Sequence, residues 1–220
     1  MKKTVIILIV SLILLDCAAH TNLMPVGKKK WDINASMGGP IVSAFGMKVA
    51  IPYATVGTNY GISNRLNLTG NFHLLPLMYH IAGIDVGPTW FPLLNDGATP
   101  TIGIQPRILA LASLKSEIEN RVRLYPVISG SSCWLYKKGT FYTGFDLTIP
   151  VTQPVYDDKA SSFIFSPFVG YRWNLGKKTK LFTELKWHAS NIASNELVVE
   201  YLNLANKGAI STIFAIERSF

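Results

Sequence analysis

Cysteine is scarce in this chain, charge is sparse, and no apolar run is long enough to cross a bilayer as a helix. The 220 residues include two cysteines, Cys17 and Cys133, too few for a disulfide framework and spaced unlike a zinc site. The four histidines, His20, His73, His80 and His188, are scattered, so no metal or other cofactor is expected. Charged residues make up 15% of the chain and hydrophobic ones 49%. Yet the main apolar run, Val5 to Leu15, is a stretch of 11 residues that rises only about 16–17 Å as a helix, short of a hydrocarbon core of roughly 30 Å. Glycine-rich nucleotide loops, solenoid repeats and low-complexity tracts are missing too. The length fits one domain.

What is present at the N-terminus is an export signal. Lys2 and Lys3 precede the apolar run, which is broken by Ser11 and ended by Asp16, Cys17, Ala18 and Ala19. Residues 1–19 therefore read as a signal peptide. Two processing routes stand side by side: a cut after Ala19 between small residues, or lipoprotein processing before Cys17. For the second, Leu14-Leu15-Asp16-Cys17 resembles a lipobox, with Asp16 where lipoproteins carry Gly, Ala or Ser, and it would make Cys17 the lipidated residue.

From residue 31 onward apolar residues recur with period two, restarting after each cluster of Gly, Pro, Asn, Asp or Lys. In Thr140 to Ile149, Phe141, Phe145, Leu147 and Ile149 share one face, while Tyr142, Gly144, Asp146 and Thr148 share the other. Leu181 to His188 sets Leu181, Leu185 and Trp187 against Glu184, Lys186 and His188. Three ionisable groups on one face need water or partners. The lumen of a membrane barrel supplies both, and lipid takes the other face.

Counting back from the C-terminus predicts strands near 209–220, 180–189, 162–173, 140–150, 122–135, 101–112, 80–91, 66–74, 48–61 and 30–37. These make an all-β, antiparallel up-and-down transmembrane barrel of about ten strands, eight being the alternative count, over residues 28–220. An even count returns both chain ends to one side. The final strand, with Ile210, Phe214 and Ile216 on its oily face and Phe220 last, resembles the terminal signature of bacterial outer-membrane barrels. That resemblance implies Phe220 as an assembly signal and the barrel assembly machinery as a partner. Tyr60 to Leu68 also resembles the strand, tight turn, strand passage of small outer-membrane barrels.

The net charge of +8 is then read by position. With both ends in the periplasm, Lys28-Lys29-Lys30, Arg65, Lys137-Lys138 and Lys177, Lys178 and Lys180 fall on the periplasmic side, opposite anionic phospholipid, where each contributes on the order of 1 kcal/mol. The outer connections, 114–121, 151–160 and 190–207, are longer and mixed in sign. Cations explained by a membrane leave nucleic-acid binding without support.

The residues that bear on chemistry are His188-Ala189-Ser190-Asn191, at the outer end of the penultimate strand. They resemble the His-x-Ser-Asn motif of the lipid A 3-O-deacylases, outer-membrane barrels whose serine attacks an ester of lipid A. The resemblance implies Ser190 as nucleophile, His188 as base and Asn191 as oxyanion donor. The family's downstream Pro-Asn-x-Gly segment is replaced by Ile192-Ala193-Ser194-Asn195-Glu196, so Glu200 or Glu196 would have to orient the base. Glu184, Lys186, Arg107, Arg123, Arg172, Asp85 and Asp146 are expected to face the lumen as a packed polar plug. Trp31, Trp90, Trp134, Trp173 and Trp187, with Tyr53, Tyr136 and Tyr171, are expected in the interfacial girdles. The expected role is a structural or envelope-associated barrel in contact with phospholipid and lipopolysaccharide. The alternatives are a lipid A deacylase-like serine esterase and a narrow channel for small solutes.

Overall fold

The computed structural model describes residues 20–44, 47–115, 122–151, 163–197 and 200–220. The signal peptide 1–19, Cys17 and much of the connections 114–121 and 151–160 lie outside the described residues. Eleven strands follow in chain order: β1 (Trp31–Ala44), β2 (Met47–Ala50), β3 (Tyr53–Ser63), β4 (Leu66–His73), β5 (Ile81–Leu93), β6 (Thr101–Ser113), β7 (Val122–Tyr136), β8 (Gly139–Thr148), β9 (Ile164–Asn174), β10 (Thr179–Ala193) and β11 (Lys207–Ser219). Each pairs antiparallel with its neighbour, and β11 pairs with β1 from Asp32↔Ser219 to Pro40↔Ser211, which closes the sheet. The β2 segment pairs only with the far end of β1, as a hairpin, so the wall itself has ten strands.

The wall is inverted relative to a soluble protein. Ile33, Ile84, Ile108, Leu185 and Phe214 point outward and are exposed, Phe214 by 52%, whereas Glu184 and Lys186 are 0% exposed inside. Backbone groups are satisfied by the closed ladder, so an apolar exterior can meet hydrocarbon without an open edge. This is a transmembrane barrel. The expected alternation holds along β4, β8, β9 and β10, and Asp85, Arg107, Asp146, Arg172, Glu184 and Lys186 all face inward.

The strand bounds and one girdle residue are corrected. The strand near 48–61 is two pieces, β2 and β3, separated by Ile51 and Pro52, and the first strand runs to Ala44 instead of ending near residue 37. Tyr53 is not a girdle residue: it is 1% exposed inside the lumen, hydrogen-bonded to His73 at 2.5 Å. Ahead of β1, the segment from His20 to Val26 is folded into the lumen, where His20, Thr21, Asn22 and Leu23 are buried.

Short turns join β3 to β4, β5 to β6, β7 to β8 and β9 to β10 at one end of the barrel, which also holds the start of β1 and the end of β11. This turn end carries Lys28–Lys30, Arg65, Lys137, Lys138, Lys177 and Lys178. The opposite loop end carries the longer connections and, among the described residues, two 3-10 turns, Leu75–Tyr79 and Ser194–Glu196.

Candidate functional site in the barrel lumen

The His-x-Ser-Asn segment lies at the loop end of β10, where the ladder to β11 shifts register between His188 and Ala193. Ala189 adopts a φ of 50°, in the left-handed region, so the strand bulges there. A bulge leaves backbone groups off the ladder, and polar side chains take them up. Ser190 Oγ donates to the Phe165 carbonyl at 3.1 Å, Asn191 Nδ2 donates to the Phe163 carbonyl at 2.9 Å, and Asn191 Oδ1 accepts from the Phe165 N–H at 2.9 Å. Ser166 Oγ accepts from the Ala189 N–H at 3.2 Å. These bonds stitch β10 to β9.

His188 is buried on the lumen side, but the hydrogen bond of the Ser190 hydroxyl goes to a backbone carbonyl and not to its ring. Glu200 is exposed; its carbonyl accepts from the Ser43 N–H at 3.0 Å, and its carboxylate makes no hydrogen bond or ion pair to a described residue. Glu196 belongs to the 3-10 turn Ser194–Glu196. A serine nucleophile needs a base within about 2.6–3.2 Å of its oxygen, and this geometry places Ser190 in a structural bond instead. At the other end of the chain, the Phe220 N–H donates to the Trp31 carbonyl at 2.9 Å, so the terminal residue helps seal the β11–β1 seam.

The ionisable side chains converge elsewhere, in a layer across the middle of the lumen. On β5, Asp85 Oδ2 meets His73 Nε2 at 2.7 Å, and Oδ1 accepts from Asn71 Nδ2 at 2.9 Å. Arg107 on β6 lies between two carboxylates, 3.7 Å from Asp85 and 3.5 Å from Asp146. Asp146 on β8 is also bonded to Lys186, to the Ser129 hydroxyl and to His20 Nε2, the last at 2.9 Å. Glu184 on β10 accepts from the Tyr142 hydroxyl at 3.2 Å and from the backbone N–H of His20 at 3.0 Å. The His20 ring stacks on Phe168, with centroids 3.8 Å apart and planes 13° from parallel.

Apolar clusters flank this layer. Ile81, Leu109, Leu111 and Tyr125 pack together toward the loop end; Leu23, Cys133, Tyr142, Phe168, Phe182 and Ala215 lie toward the turn end. Leu23 belongs to the N-terminal segment, whose path is fixed by several bonds. Asn22 Nδ2 donates to Thr69 and Thr89, each at 2.5 Å, while Asn67 Nδ2 donates to Asn22 Oδ1 at 2.7 Å. Cys133 Sγ donates to the Leu23 carbonyl at 3.3 Å. The segment then reverses into β1 at Gly27, with φ 96°, packed so closely on Gly61 that a Cβ there would overlap the Gly27 carbonyl.

A cavity of about 270 Å³ remains near the turn end, beside Asp32, Asn59, Arg172, Lys180 and Glu217. Lys180 Nζ donates to Glu217 at 2.5 Å, and Arg172 Nη2 donates to Thr140 at 2.7 Å. The space between His20, Asn71, Gln105 and Arg107 is only about 20 Å³, room for little more than one water. Sequence reasoning placed the charged wall residues correctly and missed the segment that fills the space between them. Seven residues with no periodicity offer no signal of where they will pack.

No protein-family model and no curated protein matches this chain. Among solved structures it is similar to the NanC porin, at 9% identity over 86% of this chain and 98% of that one, with a TM-score of 0.45. An outer-membrane channel from Pseudomonas putida matches at 9% identity and a TM-score of 0.48, covering 92% of this chain and 100% of its own. The outer-membrane protease OmpT from Escherichia coli matches at 9% identity and a TM-score of 0.42, covering 94% and 100%. Channels and a protease stand side by side among these likenesses, and none of them says what this chain does.

Proposed function

We propose that this chain is an integral outer-membrane barrel with a structural or envelope-associated role, its lumen closed by a packed polar plug. The observation that carries the reading is the mid-lumen layer of Asp85, Arg107, Asp146, Glu184 and Lys186, filled in by His20 and bounded toward the loop end by an apolar cluster. Charges cross-linked in this way hold opposite walls together and leave no continuous polar path. In this reading the turn end, with its lysines, faces the periplasm and its anionic phospholipids, and the loop end faces outward toward lipopolysaccharide. Phe220, at the end of the closing strand, is the residue offered to the assembly machinery.

The experiment is electrical. Purified protein in planar bilayers is expected to show no discrete conductance steps, and reproducible steps of constant size would replace this reading with the channel one. A second measurement addresses the esterase alternative. Because the Ser190 hydroxyl bonds to Phe165, lipid A from cells expressing the protein is expected to keep its acyl chains, and Ser190→Ala is expected to change nothing by mass spectrometry. Loss of an acyl chain that depends on Ser190 would restore the enzyme.

A further inference from the structure

Glu184 is wholly buried, and a carboxylate removed from water is costly unless a cation compensates it. In the same layer Arg107 lies between Asp85 and Asp146, and Lys186 bonds to Asp146. No lysine or arginine among the described residues pairs with Glu184. Its partners are the Tyr142 hydroxyl and His20, whose ring Nδ1 lies 3.3 Å from Glu184 Oε2 and whose backbone nitrogen faces the same oxygen more closely, at 3.0 Å. The ring is shared between the two carboxylates, its Nε2 bonded to Asp146 at 2.9 Å, so it is not a counter-ion for Glu184 alone. As a peptide N–H that nitrogen is neutral. As a chain terminus it would be an ammonium.

We infer that His20 is the first residue of the mature protein and that its α-ammonium joins its ring as a counter-ion of Glu184, locking the processed N-terminus inside the barrel as the plug. The inference rests on reading residues 1–19 as an export signal, and it goes beyond the closed lumen by assigning the processing site and what the new terminus binds. The step is hydrolysis of the Ala19–His20 peptide bond: water adds across the C–N bond, Ala19 leaves as a carboxylate with the signal peptide, and the His20 nitrogen becomes an ammonium. Three donors then stand where one stood.

The same geometry separates the two processing routes. Cys17 precedes His20 by three residues, a reach of at most about 10–11 Å when fully extended. His20 sits between Asp146 and Glu184, in the middle of β8 and β10 and inside a closed wall. Acyl chains on Cys17 must lie in hydrocarbon outside that wall, so lipidation of Cys17 and this seating of His20 exclude each other.

The test uses the full-length gene product purified from membranes. Intact-mass spectrometry is expected to give a chain that starts at His20, and a diacylated Cys17 or any other terminus would overturn the inference. The α-amine is then labelled with an N-hydroxysuccinimide ester and the N-terminal peptide quantified. Labelling is expected to be at least about tenfold slower in the folded barrel than in urea, because reaction must wait for local opening. Glu184→Gln keeps the side-chain shape, removes the charge and is expected to recover most of that rate. Equal labelling of folded and unfolded wild type would overturn the pairing without any variant having to fold. A barrel that conducts while its N-terminus is His20 and protected fails the closed-lumen reading alone. A silent barrel with another terminus fails this one alone.

Discussion

Asp146→Ala is expected to lower the unfolding free energy of the barrel by about 3–5 kcal/mol, the range for removing one partner of a buried charge pair. Asp146 accepts from Lys186 and Ser129 and contacts Arg107 and His20, so its loss leaves cations from β6 and β10 crowded in a dry layer with one carboxylate fewer. Their mutual repulsion adds to the desolvation that the pair had offset. Asp146→Asn keeps the volume and the bond to Ser129 but not the charge, and should recover only part of the loss. Urea titrations of protein refolded into vesicles, followed by tryptophan fluorescence, measure the difference. A loss below about 1 kcal/mol, the size of an exposed pair, would mean that water reaches this layer freely and that the lumen is not dry.

The second large effect is expected on the opposite face of the wall. Phe214 lies in the middle of β11, is 52% exposed, and pairs with Thr183 on β10 and Met37 on β1. In a bilayer that exposure is contact with acyl chains, so Phe214→Arg should cost about 2–4 kcal/mol, the depth-dependent cost of a cation on the lipid face near the midplane. The same arginine at Leu204, in the connection before β11, should cost about 0–1 kcal/mol because it reaches the interface. The same vesicle assay reads both. Equal costs at the two positions would remove Phe214 from the membrane and with it the inverted reading of the wall.

The period-two pattern is local, and so the wall was legible. Each residue of Thr140 to Ile149 or Leu181 to His188 takes its face from its neighbours two positions away, and a one-residue slip would put Glu184 and Lys186 into lipid. Strand number followed from the turn residues between runs, and the return of both ends to one side from even parity. The girdle assignment of Tyr53 failed because period two could not choose a face around Ile51 and Pro52, where the strand is interrupted. The motif at His188 to Asn191 was visible as residue types only. The bulge at Ala189, which turns Ser190 onto Phe165, is a property of the β9–β10–β11 ladder and not of four residues.

By itself the sequence determined that this chain alternates, that its polar faces are too charged for a soluble core, and that its strands return both ends to one side. These follow from hydrophobicity and backbone geometry over a few residues at a time. Tertiary structure alone decided what the inward charges meet. Asp146 and Glu184 lie 126 and 164 residues from His20 in the chain. Only a wall closed by β11 on β1 brings those carboxylates together at one level, encloses them away from water, and leaves a space that the segment beginning at His20 fills.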